Sequence, residues 1–228
     1  MKALLCLDFE NDVVHPDGKV SGKGYAAYNA EHNTLATLRA VQDQFRDSGL
    51  PVVHVRVGFS ASYAEQPKGS PLMGKAHEFG AFDLSGWGTE FLEEVTPQGD
   101  ELVITKHRIG SFFGTPLELA LNTMGVTDVY LTGVATDMVV ESTAREAHDR
   151  DFAVYVIADC CIAASAEDQE RTLTNMKKLA TIMDSSELAL DRLPSEARHS
   201  KVHSLPVRQL FSIFLDVCPR FLHELVHY

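Results

Sequence analysis

Two charged residues stand where apolar, strand-like segments end. Asp8 comes near the end of the apolar segment 2–9, and Lys106 closes the segment 101–106. A carboxylate beside the apolar walls of a sheet edge can act as a general acid or base, although a loop or helix-cap carboxylate is an alternative for Asp8. A lysine at such a place is commonly a solvated charge. Because an ammonium close to a carboxylate holds it ionised and oriented, the two residues together predict an acid–base site.

The segments that must position these residues alternate between strand-like and helix-like patterns. Short apolar runs with polar ends predict strands, and apolar residues on one helical stripe predict helices. The predicted strands are residues 2–9, 51–57, 101–106, 126–133, 152–159 and 180–184, and the predicted helices are residues 25–48, 89–95, 115–125, 137–150 and 166–179. This alternation predicts an α/β fold with three layers, in which helices cover both faces of a mostly parallel six-stranded sheet. Such sheets bind ligands beyond the carboxyl ends of their strands.

The composition excludes several classes of function. The 228 residues carry a formal net charge of −12, so a nucleic-acid partner is not expected. No apolar run reaches the ~18 residues of a membrane span, and the N-terminal segment resembles a strand more than a signal peptide. Cysteines at positions 6, 160, 161 and 218 show no zinc spacing. We therefore expect a cytoplasmic protein with free thiols that acts on a small molecule.

Three ordered blocks of sequence carry a family resemblance. They are LLCLDFENDV (4–13), ELVITKHRIGSFFGTPLE (101–118) and YLTGVATDMVVESTAREAHDRDFAVYVIADCCIAAS (130–165). The chain resembles the isochorismatase-like hydrolase superfamily of isochorismatases, nicotinamidases and cysteine amidohydrolases. The resemblance implies a hydrolase domain over residues 1–190, with the fold predicted above. It also implies a catalytic Asp, Lys and Cys, of which Asp8 matches the Asp and Lys106 the Lys.

Val139 stands at the position that matches the family's cysteine. An isopropyl group has no lone pair and no labile proton, so it cannot attack a carbonyl carbon. The prediction is therefore a family member that lacks the nucleophilic cysteine. Cys160 and Cys161, after the predicted fifth strand, are the alternative thiols, although neither begins a helix that would lower its pKa.

Three functions remain open at this stage. The first is a hydrolase of a small, carboxylated molecule that works by Asp8 and Lys106 acid–base catalysis without a covalent thiol intermediate. The resemblance to isochorismatases implies such chemistry on a vinyl ether, with Asp8 as the acid and Lys106 meeting the carboxylate of the substrate. The second is a catalytically silent member that binds a small ligand or partner. The third is a C–N amidohydrolase that uses a different nucleophile.

Further residues are predicted to form the substrate pocket because they follow strand ends, are aromatic or cationic, or match the family's nucleophile block. They are Phe9, His15, Trp87, Arg108, Phe112, Val134, Ala135 and Thr136. The resemblance also implies a cis peptide bond between residues 134 and 135 that turns backbone N–H groups near Val139 toward the site. No metal is expected, since His54-Val55-Arg56 replaces the Asp-x-His pattern of nicotinamidases, and no cofactor is expected.

Residues 191–228 differ from the rest of the chain. Their net charge is +1, while residues 1–190 carry −13, and four of the ten histidines lie there. An apolar pattern between residues 210 and 226 favours a C-terminal extension that is helical and able to form an interface. A homo-oligomer is expected.

Overall fold

The computed structural model describes residues 1–190, so the predicted C-terminal extension lies outside the described residues. The strands are β1 (Lys2–Leu7), β2 (Val52–Val57), β3 (Leu102–Lys106), β4 (Asp128–Val134), β5 (Ala153–Ile162) and β6 (Thr181–Met183). The α-helices of this part of the chain are α1 (Asn11–Val14), α2 (Tyr25–His32), α3 (Thr34–Asp47), α4 (Ala76–Phe79), α5 (Leu117–Thr123), α6 (Glu141–His148) and α7 (Ala166–Met176). No helix among residues 1–190 is both long and apolar enough to cross a membrane.

The six strands form one parallel sheet in the order β3-β2-β1-β4-β5-β6. β1 is central, and its register places Leu5 opposite Val53 of β2 and Leu131 of β4. All the carboxyl ends of the strands therefore meet at one edge of the sheet. The predicted fold class is confirmed.

The alternation of side chains along β1 shows why both faces of the sheet are covered. On one face Cys6 meets α3, where Gln42 Nε2 donates a hydrogen bond to the Cys6 sulfur at 3.4 Å. On the other face Leu5 belongs to an apolar core that includes Leu117 of α5 and Ala144 of α6. A strand buried on both faces has to be apolar throughout, as the KALLCL sequence of β1 is from its second residue onward.

The structure departs from the predicted elements in three places. The helix predicted over residues 25–48 is divided at Asn33, which adopts a left-handed conformation with φ of 53°; asparagine tolerates this region better than most residues. β5 continues to Ile162, so Cys160 and Cys161 lie within it rather than after it. The predicted helix 89–95 is two short 3₁₀ turns, Trp87–Thr89 and Glu93–Val95.

Candidate active site

Asp8 and Lys106 form a buried ion pair at the carboxyl edge of the sheet. The Lys106 Nζ atom lies 2.8 Å from Asp8 Oδ2, and the two side chains are 0% and 3% exposed. Nζ also donates hydrogen bonds to the carbonyl oxygens of Arg108 at 3.1 Å and Ile109 at 2.9 Å. A lysine ammonium has three N–H donors, so all of them are occupied. The cation is held in place and has no donor left for a further ligand.

The strand order explains how the two residues meet. β2 lies between β1 and β3, and neighbouring strands are ~4.8 Å apart, so the Lys106 and Asp8 side chains together bridge a backbone separation of ~10 Å past the end of β2. Asp8 is the first residue after β1, and its φ of 57° lies in the left-handed region. This conformation ends the extended strand and costs on the order of 1 kcal/mol for a non-glycine residue. Its N–H still donates to the carbonyl of Val55 at 2.8 Å, which ties the turn to β2.

Burial controls the protonation of the carboxyl groups near the pair. Loss of solvation raises the pKa of Asp8, and the Lys106 charge opposes that rise without cancelling it. Asp8 Oδ1 is buried and has no hydrogen-bond partner among the described residues, so a proton on this carboxyl would reside there. The Glu10 carboxyl is also fully buried, and burial, followed by the Asp8 charge, raises its pKa well above the ordinary value.

A cavity of about 270 Å³ adjoins the ion pair. Asp8 forms part of its wall, and so does Val139 from the turn after β4. The wall is otherwise mainly apolar, with contributions from Val20, Val57, Met73, Phe82, Val134 and Ala135. This arrangement places a carboxyl group with a free oxygen against a small, largely apolar space, which suits proton transfer to a small bound molecule.

Val139 belongs to a π-helical turn, Thr136–Val140, that leads into α6. The peptide bond between Val134 and Ala135 is cis, as expected. The N–H groups of Met138, Val139 and Val140 all donate to the Ala135 carbonyl, at 3.2, 2.9 and 3.2 Å. The expectation that N–H groups near Val139 face the site is therefore wrong for these three, because the Ala135 oxygen already accepts from them.

The thiols among the described residues lie away from this cavity. Cys6, Cys160 and Cys161 are 1% exposed or less, and none contributes to the cavity wall. Burial raises the pKa of Cys6 to about 11 and that of Cys161 to about 12, and it also raises the pKa of Cys160. Thiols of this kind are core residues with very little thiolate at neutral pH.

Of the predicted pocket residues, Val134 and Ala135 line the Asp8 cavity, and four others are held in packing or hydrogen bonds elsewhere. Phe9 is 1% exposed within the core, and Phe112 lies 5.9 Å from Phe152, ring centre to ring centre. The Thr136 hydroxyl is buried and hydrogen-bonded to Gln169 Oε1 at 2.5 Å. Arg108 donates to the Glu65 carbonyl at 2.9 Å and lines a different groove.

His15 and Trp87, the remaining two predicted pocket residues, lie together in a separate groove of about 720 Å³. Their rings meet edge to face with centres 4.9 Å apart. His15 ends α1 and Trp87 begins a 3₁₀ turn, and these two short elements place both side chains in a groove that does not include Asp8.

Two charged residues that line the cavity are absent from the predicted pocket residues. Lys23 comes from the 3₁₀ turn Ser21–Lys23, far from any strand end in sequence. Asp137 is the third residue after β4 and could have been selected on that ground. Residues 1–190 contain no group of three or more His, Cys, Asp or Glu side chains arranged to hold a metal ion.

Comparisons with known proteins agree with this fold. The isochorismatase domain model matches residues 2–187. The uncharacterised isochorismatase family protein YecD of Escherichia coli O157:H7 is 37% identical over 136 residues, which cover 58% of this chain and 69% of that protein. Ureidoacrylate amidohydrolase RutB of Variovorax paradoxus is 29% identical, over 69% of this chain and 67% of its own length.

A solved structure of another protein has a similar fold. N-carbamoylsarcosine amidase from Thermoplasma acidophilum superposes with a TM-score of 0.66 at 27% identity, covering 82% of this chain and 98% of that one. The family model spans nearly all of the described sheet and helices. The chain belongs to the isochorismatase family.

Proposed function

We propose that this chain is a hydrolase of a small, carboxylated molecule, in which Asp8 transfers protons, Lys106 holds Asp8 in place, and water is the attacking group. The observation that carries the proposal is the buried ion pair of 2.8 Å whose carboxylate borders a cavity. A site enclosed by apolar walls strengthens the interaction between these charges and separates the reaction from bulk water.

The two oxygens of Asp8 have different roles in this proposal. Oδ2 accepts from Lys106, whereas the buried Oδ1 has no hydrogen-bond partner among the described residues, so the proposal assigns proton transfer to Oδ1. As an acid, Asp8 would carry its proton on Oδ1, and burial shifts its pKa upward, in the direction of this form. With a vinyl ether, Oδ1 would give this proton to the enol carbon and leave an oxocarbenium ion. Water then adds to the cationic carbon, returns a proton to Asp8, and the resulting hemiketal separates into a carbonyl compound and an alcohol.

Asp8 could also catalyse the hydrolysis of a C–N bond. This alternative is favoured by the relatives that are named an amidohydrolase and an amidase. In this case ionised Asp8 takes a proton from water as the water oxygen adds to the carbonyl carbon. The proton then passes to the departing nitrogen. Neither route forms a covalent bond to the protein.

The proposal treats Val139 as the residue at the family's nucleophile position. Its side chain borders the same cavity as Asp8, which supports this assignment. A thiol route through Cys6, Cys160 or Cys161 finds no support, because these side chains are buried within strands. Val139 also favours the second candidate, a silent member that binds a ligand without turning it over.

The test is turnover by the wild-type protein of a panel of small vinyl ethers, amides and ureas that each carry one carboxylate, compared with Asp8→Asn. Loss of the acid–base group is expected to lower kcat by at least about 100-fold. Asp47→Asn, at an exposed position of α3, is the matched control and should retain full activity. Unchanged turnover in a folded Asp8→Asn protein contradicts the proposal, and a wild-type protein without turnover supports the silent candidate.

A further inference from the structure

Lys106 cannot bind the carboxylate of a substrate, contrary to the expectation drawn from the family resemblance. Its ammonium is 0% exposed, and its three donors point at Asp8 and at the carbonyls of Arg108 and Ile109. A substrate carboxylate could reach Nζ only by displacing one of these partners. A carboxylated substrate therefore needs another cation.

Among residues 1–190, Lys23 is the one cationic residue in the wall of the cavity. It is exposed at the mouth and makes no hydrogen bond or ion pair with residues 1–190. Its backbone position is well defined, because Gly24, with φ of 99°, ends its turn against the Ala164 carbonyl. A Cβ atom at Gly24 would lie 2.6 Å from that oxygen, so the close approach requires glycine.

Asp137 faces the same cavity from the turn after β4 and likewise has no side-chain partner within the described part of the chain. Its negative charge disfavours a second carboxylate in the bound molecule. The remaining wall is apolar and the volume of about 270 Å³ is small. The cavity thus offers one site for an anion at its mouth, an apolar middle and the Asp8 carboxyl at its base.

We propose that Lys23 is the carboxylate-binding residue of this cavity and selects small monocarboxylates with an apolar body. The inference rests on the proposed function, since it names the class of substrate for that site. Lys23 holds the carboxylate at the mouth, where its long, flexible side chain lets the ammonium bind the carboxylate and remain partly hydrated. The reactive bond then lies toward Asp8.

The test compares binding of benzoate with binding of benzamide, two probes of nearly equal shape that differ in charge. Ligand-observed NMR titration gives the ratio of their dissociation constants for each protein. Because Lys23 is exposed, the wild-type protein should bind benzoate about threefold to fivefold more tightly than benzamide. Lys23→Gln should bring this ratio close to one, and Lys23→Arg should restore the preference for benzoate.

Lys178→Gln is the matched control, since Lys178 is an exposed lysine just before β6 and lines a different groove. It removes the same charge and should keep the wild-type ratio. A wild-type protein that does not prefer benzoate, a Lys23→Gln variant that still does, or an equal loss in Lys178→Gln overturns the inference. Binding is measured without turnover, so this failure is distinct from the failure of the proposed function, which depends on Asp8→Asn activity.

Discussion

Replacing Glu10 by glutamine tests the electrostatic description of the site without knowledge of a substrate. The Glu10 side chain is 0% exposed, and neither carboxyl oxygen has a hydrogen-bond partner among the described residues. Burial and the nearby Asp8 charge raise its pKa well above 4.5. The folded protein therefore keeps Glu10 protonated to a higher pH than the unfolded chain does, and the Gln side chain imitates this neutral form in shape and polarity.

The direction in which Glu10 changes the stability with pH follows from its pKa being higher in the folded than in the unfolded chain. Below pH 4.5 the Glu10 carboxyl is protonated in both the folded and the unfolded chain, so it contributes no pH dependence to the free energy of unfolding. Above this pH the unfolded chain releases the proton while the folded chain keeps it. The free energy of unfolding then falls by about 1.4 kcal/mol for each pH unit, until the pH reaches the folded pKa. Glu10→Gln removes this loss, so the free energy of unfolding of the variant increases relative to that of the wild-type protein as the pH rises.

Urea unfolding at pH 4, 5, 6 and 7, followed by circular dichroism, measures the difference in free energy between variant and wild type. We expect this difference to increase by about 1.4 kcal/mol per pH unit from pH 4.5 upward and to level off where the pH passes the folded pKa of Glu10. Glu170→Gln, at an exposed position of α7, should give a difference that is nearly independent of pH. A constant difference for Glu10→Gln would mean that Glu10 ionises normally, and the description of a dry site would be refuted.

Three further predictions follow from the same geometry. Lys106→Met leaves the Asp8 charge buried and unpaired, so it should lower the free energy of unfolding by about 3–5 kcal/mol, and adding Asp8→Asn should recover part of this loss in a double-mutant cycle. Val139→Cys, made in a Cys218→Ser background, should introduce a thiol that iodoacetamide labels and mass spectrometry maps to position 139; labelling of Cys6 instead would contradict the assigned burial. Glu101→Gln should destabilise the protein by about 1–2 kcal/mol at pH 7 and much less near pH 2, as urea titrations would measure. The reason is that hydrogen bonds lower the pKa of Glu101 to about 2 despite partial burial, and this contribution is lost as the pH falls from 4.5 toward 2.

The sheet and the two charged residues could be predicted because they depend on local patterns. Apolar runs with polar ends identify buried parallel strands, and the shared carboxyl edge then brings Asp8 and Lys106 to one side of the sheet. That the two side chains form a contact depends additionally on the strand order, since Lys106 must reach past β2. The order is a property of the whole chain rather than of any segment.

The cavity mouth could not be predicted in the same way. Lys23 lies in a short turn with no apolar period, and its place is fixed by the contact of Gly24 with Ala164, which is distant in sequence. His15 and Trp87 show the opposite case. His15 is a candidate because it follows a strand end and Trp87 because it is aromatic, but α1 and a 3₁₀ turn place both in a groove that does not include Asp8. Short connecting elements decide which side of an edge a residue faces, and their sequences carry little periodic signal.

The ion pair between Asp8 and Lys106 restricts how this sequence can change over evolutionary time. Substitution of either residue alone passes through a protein with an uncompensated buried charge, which is a severe cost for a domain of ordinary stability. Position 139 has no such restriction, because exchange of its isopropyl group for another small, uncharged side chain leaves no charge behind. Folding alone therefore disfavours loss of either member of the pair, whereas it sets no comparable electrostatic requirement at position 139.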